Sequence, residues 1–285
     1  MTTSPPTHLL RFTKHHGAGN DFLVLIDQSS DAPFSAELVR ALCDRRFGVG
    51  ADGVIQVVHG RGVADVGMIL QNADGQVAEM SGNGMRCLAQ AAVLSALVTP
   101  PVFTVSTAAG VRTVDYRSGG EDHVAEASVD LGAAVLGPDQ PQKFIDRRVR
   151  TVDMGNPHVV MFGPSLDEVD VAGIGANLQS VYEGGINVEF IASGDEPDTL
   201  VLRVFERGVG ETQACGTGSA AAAAAARSWG LVGDRVTVHN PGGTLQVTLD
   251  GDSVRLRGPV HRVASVVVDS VAVLDGARPV PTAAR

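Results

Sequence analysis

The sequence predicts an α+β fold of two pseudo-symmetric lobes, each a curved, barrel-like mixed β-sheet wrapped around a central helix. Three observations predict it. Runs rich in β-branched residues, bounded by Gly, Asn, Asp or Pro, dominate the chain. Two helical stretches, 83–97 and 217–229, each begin just after a Gly-rich loop. Those loops, Ser81-Gly82-Asn83-Gly84 and Cys215-Gly216-Thr217-Gly218, lie 134 positions apart, and nearly the same offset recurs along the chain.

Strands are expected at 22–27, 54–58, 66–71, 102–106, 111–116, 187–192, 200–205, 235–239 and 244–249. Asn72-Ala73-Asp74-Gly75 holds an Asp-Gly turn signal. The stretch 35–46 reads as a helix with Ser35 as N-cap and Leu38, Val39, Leu42 and Cys43 on its apolar face. Gly230 is a natural stop for the helix over 217–229. Gly19-Asn20 matches Gly155-Asn156, Asp52 matches Asn187, Asn72 matches Glu206, and the turn at 107–110 matches that at 240–243, at offsets of 133 to 136. Matches in this order indicate an internal duplication. The alanines at 220–226 fit a helix packed by strands on every side, since small residues let backbones approach. The first lobe is expected at 1–130 plus 266–285 and the second at 131–265, with a crossing near 127–137 and a final strand near 265–274 returning to the first lobe.

At 285 residues the chain has room for about two domains. It is 44% apolar and 19% charged, which suits a packed core. A net charge of −10 with no basic run argues against nucleic acid and membrane surfaces as partners. The sequence has no uninterrupted apolar run of the roughly 18 residues a spanning helix needs. Residues 1–8 lack the basic flank and apolar core of a signal peptide and are expected to fray. Cys43, Cys87 and Cys215 are too few and too scattered for a disulfide framework or a zinc site, which fits a cytoplasmic location.

A helix start presents unpaired N–H groups and partial positive charge, so it holds a carboxylate. Cys215 sits just before such a start, where the field is expected to lower its thiol pKa from about 8.5 toward neutrality. Two lobes aiming helix starts into one cleft would grip a substrate carboxylate and approach the adjacent carbon from opposite faces. That is the geometry of two-base racemisation, with the helix ends stabilising the charge that builds on the carboxylate. No Walker loop, dinucleotide fingerprint or His/Asp metal cluster is present. Lys14 and Lys143 are the lysines available for a Schiff base, and neither lies in a cofactor motif. The expected cofactor is none, and the expected metal is none.

Several motifs in order resemble the diaminopimelate epimerase family. They are His16-Gly17-Ala18-Gly19-Asn20-Asp21-Phe22, Arg46-Phe47-Gly48-Val49-Gly50-Ala51-Asp52-Gly53, Asn72-Ala73-Asp74-Gly75 and Gly82-Asn83-Gly84-Met85-Arg86-Cys87. In the second half they are Met154-Gly155-Asn156-Pro157-His158, Gly185-Ile186-Asn187-Val188-Glu189-Phe190, Glu206-Arg207-Gly208 and Glu211-Thr212-Gln213-Ala214-Cys215-Gly216-Thr217-Gly218. The resemblance implies cofactor-independent interconversion of LL- and meso-diaminopimelate, on the lysine and peptidoglycan pathway, by a two-lobed protein that is often a homodimer. It makes Cys215 one proton-transfer residue and puts Ser81 where the second belongs. It assigns Gly82, Asn83, Gly216 and Thr217 to the reacting carboxylate, Asn20, Asn72, Asn156 and Asn187 to the substrate's polar groups, and Arg207 to its distal carboxylate. Glu206 and His158 would hold the substrate amine or adjust the thiol.

The family's first-lobe pattern is Cys-Gly-Asn-Gly, and this chain has serine at 81. A hydroxyl is far less acidic than a thiol, and a helix end contributes at most about 2 kcal/mol toward closing that gap. Ser81 can donate or relay a proton but is a poor base. The readings left open are an epimerase using Ser81 through a water, a one-base, dehydratase-like reaction of the same superfamily, a non-catalytic amino-acid-binding homologue, and an engineered serine.

Overall fold

The computed structural model describes residues 9–121, 123–140, 147–251 and 253–276. The tail at 1–8 and Lys143 lie outside the described residues. The first half runs β1 (Leu9–Gly17), β2 (Asn20–Ile26), α1 (Ala36–Cys43), β3 (Gly53–His59), β4 (Val66–Asn72), β5 (Val77–Ala78), α2 (Gly82–Leu94), β6 (Val102–Thr107), β7 (Gly110–Glu121) and β8 (Val124–Asp130). A connecting strand, β9 (Val135–Gln140), follows. The same order then repeats as β10 (Arg148–Asp153), β11 (Pro157–Phe162), α3 (Val171–Val181), β12 (Asn187–Ser193), β13 (Thr199–Glu206), β14 (Gly210–Thr212), α4 (Gly216–Ser228), β15 (Arg235–Asn240), β16 (Gly243–Asp250) and β17 (Ser253–Asp269). A short helix, α5 (Ser270–Gly276), ends the described chain.

The pairing repeats as well. β2 runs parallel to β3 and β11 parallel to β12, while β4–β6 and β13–β15 are the second parallel pair of each half. The first half closes into a ring, β1-β2-β3-β4-β6-β7-β8-β17 and back to β1. In the second half β9 to β13, then β15, β16 and β17 wrap the same way. Hydrogen bonds from Leu131 N–H to Val254 O and from Val254 N–H to Gly132 O, both 2.8 Å, tie that wrap's two ends. β17 belongs to both rings: its start pairs with β16 and its end with β1.

Each ring encloses one helix. The alanines at 220–226 in α4 are all buried, as an axis ringed by strands requires. In α2, Met85, Cys87, Leu88, Ala89 and Ala92 are fully buried, and a single apolar core joins the two helices. Cys43 is buried in a separate cluster outside the first ring, as its apolar-face position predicted.

Several boundaries differ from expectation for local reasons. Helix α1 stops at Cys43 because the Asp44 carboxylate takes the N–H groups of Arg46 and Phe47, each at 2.7 Å, which turns the chain away. The strand expected over 265–274 ends at Asp269, whose carboxylate accepts from Val271 N–H at 3.0 Å and Ala272 N–H at 3.2 Å and starts α5. Helix α3 was not foreseen, since Gly173 and Gly175 weaken its propensity. Asp170 caps it through Gly173 N–H at 2.9 Å, and Gly175 leaves room for the Phe205 ring, which a Cβ would meet at 2.3 Å.

Candidate active site

The site begins where α2 and α4 begin. Ser81 and Cys215 both have extended backbone and cap their helices. Ser81 Oγ accepts the Gly84 N–H at 3.0 Å, and Cys215 Sγ accepts the Gly218 N–H at 3.3 Å. Their carbonyls take the N–H groups of Met85 at 2.8 Å and Ser219 at 2.9 Å. That leaves the first two amides of each helix, Gly82 and Asn83 in one and Gly216 and Thr217 in the other, without an intrahelical acceptor. The two starts touch backbone to backbone. A Cβ on Gly216 would lie 2.8 Å from Gly82 Cα and 3.0 Å from Asn83 N, so only glycine fits there.

Ser81 and Cys215 line one cleft together with Asn20, Asn72, Asn156, Asn187, Glu206, Arg207 and Thr217. Four predicted residues stand behind that wall. Gly82, Asn83 and Gly216 form the helix contact, and Asn83 turns its amide inward, donating to Ala214 O at 2.8 Å and Asn20 Oδ1 at 3.2 Å. His158 is fully buried, with Nδ1 2.7 Å from Glu189 Oε1 and Nε2 3.0 Å from Asn156 Oδ1. Asn156, on the cleft, links it to the site.

Three of the four cleft asparagines are tied into the protein by their side chains. Asn20 donates to Asp52 at 2.8 Å. Asn187 donates to Pro157 O at 2.9 Å and accepts from Arg207 N–H at 3.0 Å, which fixes the Arg207 backbone. Asn156 reaches the Thr217 hydroxyl at 3.4 Å. Arg207 reaches across to Glu79 of the other half at 2.7 Å.

The electrostatics reverse one expectation. The Cys215 thiol is pushed well above its ordinary range, not toward neutrality. Burial is the main cause, and the Glu206 and Glu189 carboxylates add to it. Contacts from the Thr217 hydroxyl, at 3.6 Å, and the Gly218 N–H oppose the shift without overcoming it. A helix end supplies at most about 2 kcal/mol, less than the loss of water around a buried thiolate beside two acids. Glu206 is raised to about 7, again by burial first, against hydrogen bonds from Thr212 and Cys215 and with Asp52 and Glu189 adding repulsion.

Sequence reasoning overlooked Glu189, Asp52, Glu79 and Thr212. Glu189 had a signal: a carboxylate inside the apolar run Val188-Glu189-Phe190 needs a buried partner, and His158 is it. The ties between Glu79 and Arg207, and between Thr212 and Glu206, join residues whose meeting depends on the fold. Among the described residues no group of three or more His, Cys, Asp or Glu is placed to hold a metal ion, and no helix is long and apolar enough to cross a membrane.

Fold and site define a protein of the racemase/epimerase class, with two like barrels sharing one cleft. The sequence profile of diaminopimelate epimerase matches residues 12–137 and 150–263. A diaminopimelate epimerase of Desulforapulum autotrophicum is 36% identical over 277 residues, covering 89% of this chain and 97% of the relative. One from Mycobacterium leprae is 39% identical over 281 residues, covering 89% and 94%. The chain belongs to the diaminopimelate epimerase family. Among solved structures, a hydroxyproline epimerase of Agrobacterium vitis has a TM-score of 0.71 at 17% identity over 91% of each chain. A Bacillus anthracis phenazine biosynthesis protein of the PhzF family has a TM-score of 0.70 at 16% identity over 91% of this chain and 99% of that one. At such identities the likeness is one of fold.

Proposed function

We propose that the protein interconverts LL- and meso-diaminopimelate by moving the α-proton between two faces, with Cys215 as the base and Ser81 delivering a proton from water. The observation that carries this reading is the pairing of Ser81 and Cys215 at two touching helix starts on one cleft. The free amides of Gly82, Asn83, Gly216 and Thr217 would hold the reacting carboxylate and the charge it gains as the C–H bond breaks. Asn20, Asn72, Asn156 and Asn187 would hold the other polar groups, and Arg207 the distal carboxylate.

In the substrate-free cleft Cys215 keeps its proton chiefly because it is buried, and the Glu206 and Glu189 carboxylates add to that. An α-ammonium placed beside Glu206 would offset that charge and lower the thiol pKa, so substrate binding itself would arm the base. His158 acts at one remove, holding Glu189 on one ring nitrogen and Asn156 on the other. The reading carries with it a homodimeric, cytoplasmic enzyme working without a cofactor.

Ser81 favours a second reading, a one-base reaction of dehydratase type, because a hydroxyl does not serve as the second base. Incubation with LL-diaminopimelate and chiral separation of the products separates the two. Formation of the meso isomer supports epimerisation. Loss of an amino or hydroxyl substituent from an offered substrate, without inversion, supports the one-base reaction. Tight binding with no chemistry would show a protein that retained only the cleft.

A further inference from the structure

We propose that Thr212 relays protons between Glu206 and solvent, so that Cys215, Glu206 and Thr212 form the route by which the substrate's α-proton leaves the site. The proposal rests on the epimerase reading and concerns the step after inversion. If Ser81 delivers a proton drawn from water while Cys215 collects one from carbon, each turnover leaves Cys215 one proton richer. That proton has to reach solvent before the next turnover, and Cys215 is only 5% exposed.

The geometry supplies a path. Cys215 and Glu206 line the same cleft, where the Glu206 carboxylate acts on the thiol, and Thr212 Oγ1 donates to Glu206 Oε1. Thr212 also lines a second, outer groove with Lys14, Asp21, Arg45, Asp52 and Glu211, which adjoins the reaction cleft at Asp52 and Val209. A ligand in the cleft would cover the cleft face of Glu206, and the Thr212 face would stay connected to that groove. The duplication sharpens the point. The β4–β5 register pairs Leu70 with Ala78, and the β13–β14 register pairs Val204 with Thr212, so the counterparts of Glu206, Thr212 and Cys215 in the first half are Asn72, Ala78 and Ser81. The proton-accepting series exists on the cysteine side alone.

The steps balance as proton hops. The thiolate takes the α-proton, an S–H bond forms, and the C–H electron pair stays on the carbon and its carboxylate. The S–H proton then passes to the Glu206 carboxylate, restoring the thiolate. The Thr212 hydroxyl, which points at the Glu206 carboxylate, then turns to a groove water and releases its proton there as its oxygen takes the proton of the carboxylic acid. Thr212 acts through Glu206 and is a positioning residue, not a catalytic one. The titratable and charged groups around Glu206 are Cys215, Asp52 and Glu189, with Arg207 and Glu79 on the same cleft.

Thr212→Val keeps the shape and removes the hydroxyl, and Thr212→Ser restores it. With diaminopimelate, Thr212→Val is expected to give a burst of one product per site followed by a steady rate lower by roughly 10-fold or more, at unchanged KM. Thr212→Ser is expected to come within about two-fold of the parent. Equal loss in both variants, or none in Thr212→Val, overturns the proposal. If the parent protein converts no diaminopimelate, the epimerase reading fails, and the relay is then judged on the free protein. In the free protein the titration profile of Glu206, followed by NMR of 13C-labelled carboxylates, should move upward in Thr212→Val, because Glu206 loses a donor to its charged form. An unmoved profile overturns the relay.

Discussion

Ser81 and Cys215 hold the same place in the two halves: each caps a central helix and accepts the N–H of the glycine three residues on, Gly84 for the serine and Gly218 for the cysteine. One atom separates them in kind, oxygen against sulfur. The site is therefore symmetric in its backbone and asymmetric in its acidity, and the predictions follow from that.

Ser81→Cys should raise turnover by about 100-fold or more, since it places an acidic group at the first helix start. Steady-state kinetics on LL-diaminopimelate check this. No gain would mean that the Ser81 loop is not the second proton-transfer position.

Gly216→Ala should destabilise the fold by about 1–3 kcal/mol and open the helix contact, because the new methyl would press on Gly82 and Leu256. Thermal unfolding should register a drop of several degrees. A variant as stable as the parent would contradict the close approach.

Activity should rise with pH through about 7, as Glu206 loses its proton and becomes able to take one from Cys215. In Glu206→Gln that limb should vanish together with most of the rate. A rising limb near 7 that persists in the variant would belong to another group.

His15 is buried, with Gln90 Oε1 at 2.9 Å from Nδ1 and Thr13 Oγ1 at 2.8 Å from Nε2, and its pKa is lowered to about 4, chiefly by burial. The folded state therefore resists a proton that the unfolded chain takes near 6.5. Its contribution is present above about 6.5 and lost as pH falls toward 4, on the order of 3 kcal/mol. Denaturant unfolding at a series of pH values should show a shallower acid loss in His15→Gln, and an unchanged slope would assign that loss to other groups.

The duplicated α+β plan was legible because Gly-rich loops and β-branched runs leave local signals, and each helix start sits beside one. Helix α3 was not, because Gly175 serves packing against Phe205 and Gly173 sits against the Asp170 cap, contacts made only in the fold. At the site, the motif positions of Asn20, Asn72, Asn156, Asn187, Glu206 and Arg207 led to one cleft. The thiol's electrostatics did not follow from position. The helix field at Cys215 is local and readable, whereas the burial that outweighs it, with Glu206 and Glu189 brought in from other strands, is made only by the fold.

The central claim is that Cys215 exchanges the substrate α-proton on one side of a cleft shared by both halves. Proton NMR of LL-diaminopimelate in D2O, with the parent protein and with Cys215→Ser, tests it most directly. The parent should introduce deuterium at the α-carbon with inversion to the meso isomer, and Cys215→Ser should introduce none. Deuteration that survives in Cys215→Ser would contradict the account.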